Sequence, residues 1–549
     1  MRPLDWVVLA ASVVLIVAYG LWRARGSNTV NKYLLAGKTM PWYAMALSIM
    51  ATQASAITFI STTGQAYADG MRFVQFYFGL PLAMVILCAT AVPQFHRSGV
   101  YTAYQYLERR FDAKTRALVT MIFLIQRGLA VGVALYAPAI VLTVIFGWPD
   151  RLTSILMGVI VVFYTAVGGI QAVTWTDFQQ MLVMLAGLFA ALIMAVLLLP
   201  DGVGWSGALA VAGAAGKLNP VVWRLDWNDR YNVWSGLLGG MFLALAYFGT
   251  DQSQVQRYLT GRSVTQSRLS LLFNGMAKVP MQFLILLTGA LVFSFYVFEK
   301  PPLLFNAQER RRIEHLAAYQ AAARVYDQAF ERRRAAGYGI AAGNRSATHE
   351  FQTAHAELER ARQMAGHLAA PDYNDTNYIF LTFVTTWLPE GLVGLIIAAI
   401  FAAAMSTISA EINSLATVTV IDLYQRYWRP HAPDRHYLIA SQAATVFWGL
   451  YAILTAQFGR NLGSLIEAVN RLGSLFYGGM LGVFALAFYF PRVNGHAAFL
   501  GVLAGEAAIF YAALFTKISF LWYNVIGALV TVGAALALSR WPLSSNSNR

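Results

Sequence analysis

The sequence predicts an all-α polytopic membrane protein, and three observations carry this prediction. Of the 549 residues, 58% are apolar and only 12% are charged, whereas an ordinary soluble domain has roughly 25% charged residues. The mean hydropathy is +0.53. Apolar runs long enough to cross a bilayer as helices recur along almost the whole chain. This composition nearly excludes a soluble enzyme.

A window of about 19 residues predicts about 13 transmembrane helices. Their approximate centres are Val13, Met50, Met84, Leu129, Val162, Leu188, Phe242, Leu284, Ile397, Phe447, Leu481, Ala508 and Val530. The apolar runs over 270–298 and 378–424 exceed the roughly 20 residues needed to cross, which indicates tilt or extension beyond the bilayer.

The net charge of +14 indicates membrane topology rather than nucleic-acid binding. A nucleic-acid-binding protein carries a basic face on a soluble fold, whereas here the basic residues are scattered in loops. Short loops rich in Lys and Arg mark the cytoplasmic side. Such loops follow the first, third, seventh and ninth spans and contain Arg23, Arg25, Lys32 and Lys38; Arg97, Arg109, Arg110, Lys114 and Arg116; Arg257, Arg262 and Arg268; and Arg426, Arg429 and Arg435. We predict a plasma (inner) membrane protein with the N-terminus outside and the C-terminus cytoplasmic.

One charged segment interrupts what is otherwise a single transmembrane domain over 1–549. Residues 299–376 lie between spans eight and nine and are predicted to form an extracytoplasmic helical hairpin. The helices are expected at about 307–335 and 346–368. The second has apolar residues at helical spacing, namely Phe351, Ala354, Leu358, Ala361, Ala365 and Leu368. A structural cap, a gating lid and a partner-docking arm all remain open.

Small polar residues crowd the second span and parts of the ninth. Residues 48–64 contain seven Ser and Thr residues and end at Gly64. They permit either close helix packing or a helix break that turns backbone carbonyls toward an ion. In the ninth span, Ser406, Thr407 and Ser409 offer neutral oxygens, although such hydroxyls also bond to their own helix. Together the two segments indicate an intramembrane cation site, because hard cations prefer oxygen ligands.

Two basic residues lie deep in their predicted spans. Arg127 and Lys278 are each about ten residues in, or roughly 15 Å at the helical rise. They are expected to face the bundle interior, either in structural ion pairs or in contact with an anionic substrate. Asp177 and Glu411 are the candidate counter-charges. Further hydrogen-bonding groups in the spans are Tyr77, Tyr247 and Asn470.

Catalytic motifs are absent from the sequence. It contains no HExxH, P-loop or GxSxG pattern. We therefore expect neither enzymatic activity nor an organic cofactor.

Several stretches jointly resemble the sodium/solute symporter family, whose members carry sugars, proline, sialic acid, vitamins or monocarboxylates. They are Leu35–Lys38 with Pro41-Trp42, Tyr164–Gln171 running into Trp175–Asp177, Asp251-Gln252 with Gln256-Arg257, and Ser406-Thr407 with Asn413-Ser414 and Asp422–Tyr424. The resemblance covers nearly the whole chain except 299–376. It implies two inverted five-helix repeats of the leucine-transporter type, plus flanking helices.

The resemblance also implies which residues bind sodium. The matching positions are Ala51, Ala54, Ala403, Ser406 and Thr407. Some members bind a second sodium ion through an Asp and further serines. Asp177 and Ser409 match that set, but Ala410 stands where such members have another serine.

The implied substrate pocket departs from the sugar-binding pattern. Lys278 and Tyr247 match a sugar-contacting lysine and a gating tyrosine. In contrast, Ile57, Thr58, Tyr77, Ala244 and Asn470 replace an acid–amide pair, a glutamate, an asparagine and a glutamine. The stretches 53–58 and 135–139 look more like the monocarboxylate, iodide and vitamin branch. The predicted substrate contacts are Gln53, Thr58, Tyr77, Arg127, Tyr247, Lys278 and Asn470.

The sequence thus predicts a sodium-coupled symporter that imports a small organic solute by alternating access. An organic anion such as a carboxylate is favoured, and a sugar or polyol is the alternative. A channel or a transport-derived sensor is the alternative from a different class. The expected partners are sodium, the solute and the bilayer, with no nucleic acid.

Overall fold

The computed structural model of the chain describes residues 1–23, 25, 29–457 and 465–540. These residues form α-helices with 3-10 and π segments, and no β-strand occurs among them. The α-helices are α1 (Pro3–Arg23), α2 (Val30–Leu35), α3 (Trp42–Gln53), α4 (Thr63–Asp69), α5 (Leu80–Ala89), α6 (Ala91–Ser98), α7 (Ala103–Arg110), α8 (Ala113–Phe146), α9 (Asp150–Leu197), α10 (Gly204–Ala214), α11 (Gly240–Thr250), α12 (Gln252–Leu259), α13 (Val264–Phe298), α14 (Ala307–Ile313), α15 (Ala317–Ala341), α16 (Ala347–Ala369), α17 (Thr376–Trp387), α18 (Leu392–Val418), α19 (Asp434–Ala456), α20 (Leu465–Tyr489), α21 (Gly495–Phe515) and α22 (Leu521–Arg540). The other helical segments are Ala36–Lys38, Thr58–Thr62, Met71–Tyr77, Ser235–Gly239 and Thr419–Trp428.

The predicted all-α polytopic class is confirmed. Within the described ranges, ten helices are long and apolar enough to cross a membrane, and the bent pair formed by α3 and Thr58–Asp69 makes eleven. Thirteen spans would require α9 to contain two, with Ser235–Thr250 as a further short one. The number thirteen and the two inverted repeats therefore stay predictions.

The longest helix, α9, is divided by a glycine. Its 48 residues would extend about 72 Å, more than twice the hydrocarbon thickness of a bilayer. Gly169 interrupts it with φ 58° and ψ −165°. A Cβ atom at this position would lie 2.6 Å from the Tyr33 carbonyl oxygen. The left-handed backbone and the close contact both require glycine, and Gly169 divides α9 into two segments.

The helices divide into a central and a peripheral set. Every residue over 396–418 of α18 is buried, and α18 packs against α9, α8, α3 and α1. In contrast, α1 exposes Val7, Val14 and Leu15 by 63%, 63% and 67%. Exposed apolar side chains on a spanning helix are suited to lipid. The core therefore surrounds α18, and α1 flanks it.

The 299–376 segment contains a helical hairpin of α15 and α16, preceded by the short helix α14. The hairpin turns at Gly343, whose φ is 88°. Five of the six expected seam residues of α16 are buried, while Leu368 is 36% exposed. The first expected helix, 307–335, is instead two helices, because the chain leaves helical geometry between α14 and α15.

The hairpin packs directly on the end of the spanning helix α13. The guanidinium of Arg333 is 1% exposed and donates a 2.7 Å hydrogen bond to the Tyr296 carbonyl at the end of α13. The ring of His355 lies 5.4 Å from that of Phe293. Burial, together with nearby positive charges, lowers the pKa of His355 to about 3, so its ring is neutral at physiological pH. The hairpin is thus fixed to α13 by a hydrogen bond from a buried guanidinium and by a neutral ring contact.

Two basic residues assigned to loops from the sequence are buried, which corrects that expectation. Arg116 is 5% exposed, and its Nε donates to Asp422 over 2.7 Å. Arg257 is 1% exposed and lies in α12. Each forms an ion pair with a carboxylate that is distant in sequence. These arginines therefore stabilise the fold, and their charges do not indicate which side of the membrane is cytoplasmic.

Candidate functional site

The second span breaks among its small polar residues, which is one of the two possibilities that the sequence left open. Helix α3 ends at Gln53, Ala54 adopts φ −85° and ψ 62°, and helical geometry resumes with a 61° bend. Among the described residues, no backbone N–H across the break donates to the carbonyls of Ala51 or Ala54. The Thr58 hydroxyl donates to the Gln53 carbonyl over 3.3 Å. The break therefore leaves backbone oxygens available to a cation.

Helix α18 brings its hydroxyls to this break. Thr407 donates a 3.0 Å hydrogen bond to the Thr52 carbonyl. Ala403 lies one turn earlier, and Ser406 is fully buried beside Thr407. The five predicted sodium residues thus lie on two elements that contact each other. Backbone carbonyls and neutral hydroxyls are the ligands that a hard alkali cation prefers, so this donor set fits sodium.

Asp177 lies next to this set but already has a complete set of partners. Its Oδ1 accepts from Ser406 and its Oδ2 from Ser48, both over 2.5 Å. Arg257 donates to Oδ2 over 2.9 Å. The Ser409 hydroxyl instead bonds to the Ser406 carbonyl within its own helix. The positive charge of Arg257 therefore balances the carboxylate expected to hold a second sodium ion.

A cavity of about 100 Å³ adjoins the break. Five of the seven predicted substrate residues line it, namely Gln53, Tyr77, Arg127, Tyr247 and Asn470. Thr52, Ser55 and Thr407 belong to its wall as well. Thr58 and Lys278 do not line this cavity.

Arg127 is held by two carboxylates. Its Nη1 donates to Glu411 over 2.7 Å, and its Nη2 bonds to Asp251 and, over 2.7 Å, to the Tyr477 hydroxyl. All four side chains are buried. Glu411 is therefore the counter-charge of Arg127, as the sequence suggested. With two carboxylates on one guanidinium, Arg127 has no uncompensated positive charge for a solute.

Lys278 lies behind the cavity wall. It is 0% exposed, and its Nζ has no hydrogen-bond partner within the described parts of the chain. The ammonium group is 5.7 Å from the ring centroid of Tyr77, a distance at which cation–π attraction operates. Tyr77 thus has two contacts: its ring faces the ammonium group of Lys278, and its side chain lines the cavity.

A model of the sodium:solute symporter family matches residues 33–312 and 358–505. The chain belongs to this family. It is a multi-pass membrane protein and a sodium-coupled solute symporter rather than an enzyme, with sodium as its coupling ion. The family match leaves out 313–357, which contains most of the α15–α16 hairpin.

Relatives of this symporter transport chemically different solutes. It is 29% identical to human sodium-coupled monocarboxylate transporter 1 over 94% of this chain and 74% of the relative. It is 29% identical to the rabbit (Oryctolagus cuniculus) sodium-dependent multivitamin transporter, over 97% and 72%. The human sodium/iodide cotransporter is 27% identical, over 93% and 69%.

A solved structure has the same fold. A Na+-coupled sialic acid symporter in a substrate-bound outward-open state matches with a TM-score of 0.77 and 24% identity, covering 98% of both chains. This likeness supports the fold of the symporter.

Sequence reasoning alone does not assign Asp251, Tyr477 and Gln126 to the site. Asp251 and Tyr477 complete the Arg127 cluster, and Gln126 and Tyr477 line the cavity. Asp251 belongs to a motif of the family resemblance, and its position at the end of a predicted span was the available signal. Tyr477 and Gln126 carry no such signal, because a single Tyr or Gln in an apolar run has many roles.

The balanced charge of Asp177 predicts that one sodium ion is bound per transport cycle. Initial uptake rates of the symporter, measured against sodium concentration, should give a Hill coefficient of about one. Asp177→Asn is expected to keep that coefficient while it lowers thermal stability, because it leaves Arg257 unpaired. A coefficient near two that falls in Asp177→Asn would contradict this prediction and assign a second ion to Asp177.

Proposed function

We propose that this symporter imports a small organic anion, such as a short-chain carboxylate, together with sodium. Its relatives include monocarboxylate, multivitamin and iodide transporters, which supports an anion. Sodium must bind the outward-facing state more favourably than the inward-facing one, since a ligand shifts an equilibrium only through differential affinity.

The shared wall of the ion site and the cavity carries this proposal. Thr407 belongs to the proposed sodium site and lines the cavity, and residues 52–55 connect the two. A sodium ion held at the break would therefore place a positive charge without a protein counter-ion beside a solute carboxylate in the cavity. Because two carboxylates already balance the charge of Arg127, an anion would bind in this cavity only when sodium is bound.

One part of the lining suits the apolar part of a small solute. Phe76, Leu243, Ile466 and Val469 line the cavity, and they offer no hydrogen bonds to a hydroxyl-rich ligand. The volume of about 100 Å³ is below the roughly 300–1,000 Å³ of pockets for drug-sized ligands. A carboxylate with a short aliphatic chain satisfies both conditions.

Two buried hydrogen-bond acceptors without a partner support a sugar or polyol as the second candidate solute. The Oε1 atoms of Gln53 and Gln126 are buried without a hydrogen-bond partner among the described residues, and both side chains line the cavity. Hydroxyl groups of a solute would satisfy them, and a buried acceptor left unpaired costs free energy.

Uptake into proteoliposomes decides between the two solutes. We expect an inward sodium gradient to drive accumulation of labelled short-chain monocarboxylates, with no accumulation when potassium replaces sodium. A tenfold excess of an unlabelled sugar or polyol should not compete. Sodium-driven accumulation of a sugar, without accumulation of any carboxylate, would overturn the anion proposal while leaving sodium coupling intact.

We propose that the 299–376 segment and the N-terminus lie outside the cell and that the C-terminus is cytoplasmic. Lys32, Lys38, Arg97, Arg109 and the exposed Arg429 lie in short helices, helix ends and turns that connect the long apolar helices. Basic residues in such connections support this orientation, although Arg116 and Arg257 no longer count toward it.

Single-cysteine labelling tests the orientation. The only cysteine, Cys88, is 6% exposed, so the native background should be low. A membrane-impermeant maleimide applied to intact cells is expected to label Arg345→Cys in the hairpin turn, and to label Arg429→Cys only after permeabilisation. The reverse pattern would contradict the proposed topology.

A further inference from the structure

A groove of about 590 Å³ lies where α20 and α22 begin and α21 ends. It is distinct from the central cavity, because the two use different faces of α20. Ile466, Val469 and Asn470 line the central cavity, whereas Glu467 and Arg471 line the groove. The first turns of α20 therefore separate the two spaces.

The groove carries uncompensated positive charge. Arg230 pairs with Glu467, so these two charges cancel. Arg471 and Lys517 line the groove and are exposed, and neither has an ion-pair or hydrogen-bond partner among the described residues. Two free cations therefore face the same space.

An orphaned hydroxyl adds a second and independent observation. Ser519 lines the groove and is 5% exposed, and its Oγ has no hydrogen-bond partner in the described parts of the chain. A buried hydroxyl without a partner costs free energy. Anionic oxygens bound beside Arg471 and Lys517 would supply one.

The surroundings place the groove at the edge of the bilayer. Leu514 and Phe515, at the end of α21, are each 73% exposed, which suits lipid and not water. The Ser519 N–H donates to the Trp227 carbonyl over 2.9 Å, and Trp227 and Trp223 are 52% and 73% exposed. Exposed tryptophans concentrate at membrane interfaces. The groove thus lies at the level of lipid headgroups.

We propose that this groove binds an anionic phospholipid. The phosphate lies between Arg471 and Lys517 and accepts from Ser519. The acyl chains follow the apolar wall formed by Leu472 and Leu475 toward Phe515. Basic pockets between transmembrane helices at the membrane surface select anionic headgroups in this way. Through α20, the lipid braces a wall of the central cavity.

Lipid titration of the delipidated, detergent-purified full chain tests this site. The readout is the rise in thermal unfolding midpoint on adding phosphatidylglycerol, phosphatidylcholine with the same acyl chains, or glycerol 3-phosphate. We expect a saturable rise with phosphatidylglycerol only. Phosphatidylcholine lacks the net charge, and glycerol 3-phosphate lacks the chains.

Variants locate the binding. Arg471→Ala/Lys517→Ala should weaken the affinity for phosphatidylglycerol by about one order of magnitude, and Ser519→Ala by about threefold. Arg224→Ala/Arg345→Ala removes the same charge at exposed positions outside the groove and should bind as the wild type does. Stabilisation by sodium in each variant shows that it is folded.

Three results would overturn the proposal. Unchanged phosphatidylglycerol affinity in Arg471→Ala/Lys517→Ala would place any lipid elsewhere. An equal rise with phosphatidylcholine would remove the anion selectivity. An equal rise with glycerol 3-phosphate would show a site for soluble phosphate and not for a lipid. None of these results depends on which solute the symporter carries.

Discussion

Replacing Ser406 and Thr407 together by alanine is expected to abolish sodium-stimulated uptake. The double variant removes two of the five proposed sodium ligands and the 3.0 Å hydrogen bond from Thr407 to the Thr52 carbonyl, which joins α18 to the helix break. Any residual uptake should need at least about tenfold more sodium for half-maximal rate, which corresponds to about 1.4 kcal/mol of lost sodium binding. The measurement is initial uptake rate against sodium concentration in proteoliposomes.

Ser414 provides a matched control on the same helix. It is also fully buried, and its hydroxyl bonds to the Glu411 carbonyl within its own helix. Ser414→Ala should therefore keep the sodium dependence of the wild type. If the Ser406→Ala/Thr407→Ala variant shows the same half-maximal sodium concentration as Ser414→Ala, the assigned ion site is wrong.

Arg127→Ala is expected to destabilise the protein strongly and to eliminate uptake. The change leaves the carboxylates of Asp251 and Glu411 buried without their shared cation. Breaking a buried ion pair by removing one partner costs about 3–5 kcal/mol. Thermal unfolding in detergent should show a large fall in midpoint, whereas Arg224→Ala, at an exposed position, should leave it unchanged.

A charge-matched double variant separates structure from solute contact. Arg127→Leu/Glu411→Leu keeps the net charge of the cluster, so it should recover part of the stability lost in Arg127→Ala. If Arg127→Ala instead kept the wild-type midpoint and only raised the KM for the solute, Arg127 would be a solute contact, and the structural role argued from its two carboxylate partners would be refuted.

The break in the second span could be recognised as a possibility from the sequence because its signal is local. Seven Ser and Thr residues lie within residues 48–64, and the interruption at Ala54 needs no distant partner to be recognised. The seam of α16 was predictable for the same reason, since helical periodicity lies within one segment. Leu368 departs from the seam because it lies at the last turn of that helix, where the hairpin partner ends.

Charge partners were harder to predict, because pairing joins residues far apart in the chain. Glu411 and Arg127 are 284 positions apart, and Arg257 and Asp177 are 80 apart. A basic residue just after an apolar run looks the same in sequence whether it faces water or turns back into the core. Arg257 does the latter, and only its contact with Asp177 reveals that.

The deep position of Lys278 was predictable, but its relation to the cavity was not. Its depth follows from its place in the apolar run of α13, and the side chain is indeed 0% exposed. Which helix stands between it and the cavity depends on tertiary packing. The ring of Tyr77 occupies that position, so Lys278 contacts the ring and does not line the cavity.

Equilibrium solute binding with and without sodium tests the central claim most directly, namely that the ion at the helix break and the solute share one wall. Isothermal titration of the purified symporter with a short-chain carboxylate is expected to give an affinity at least about tenfold higher in sodium than in potassium. The enhancement should persist in Ser414→Ala and vanish in Ser406→Ala/Thr407→Ala. Equal affinity in the two salts for the wild type would contradict the account.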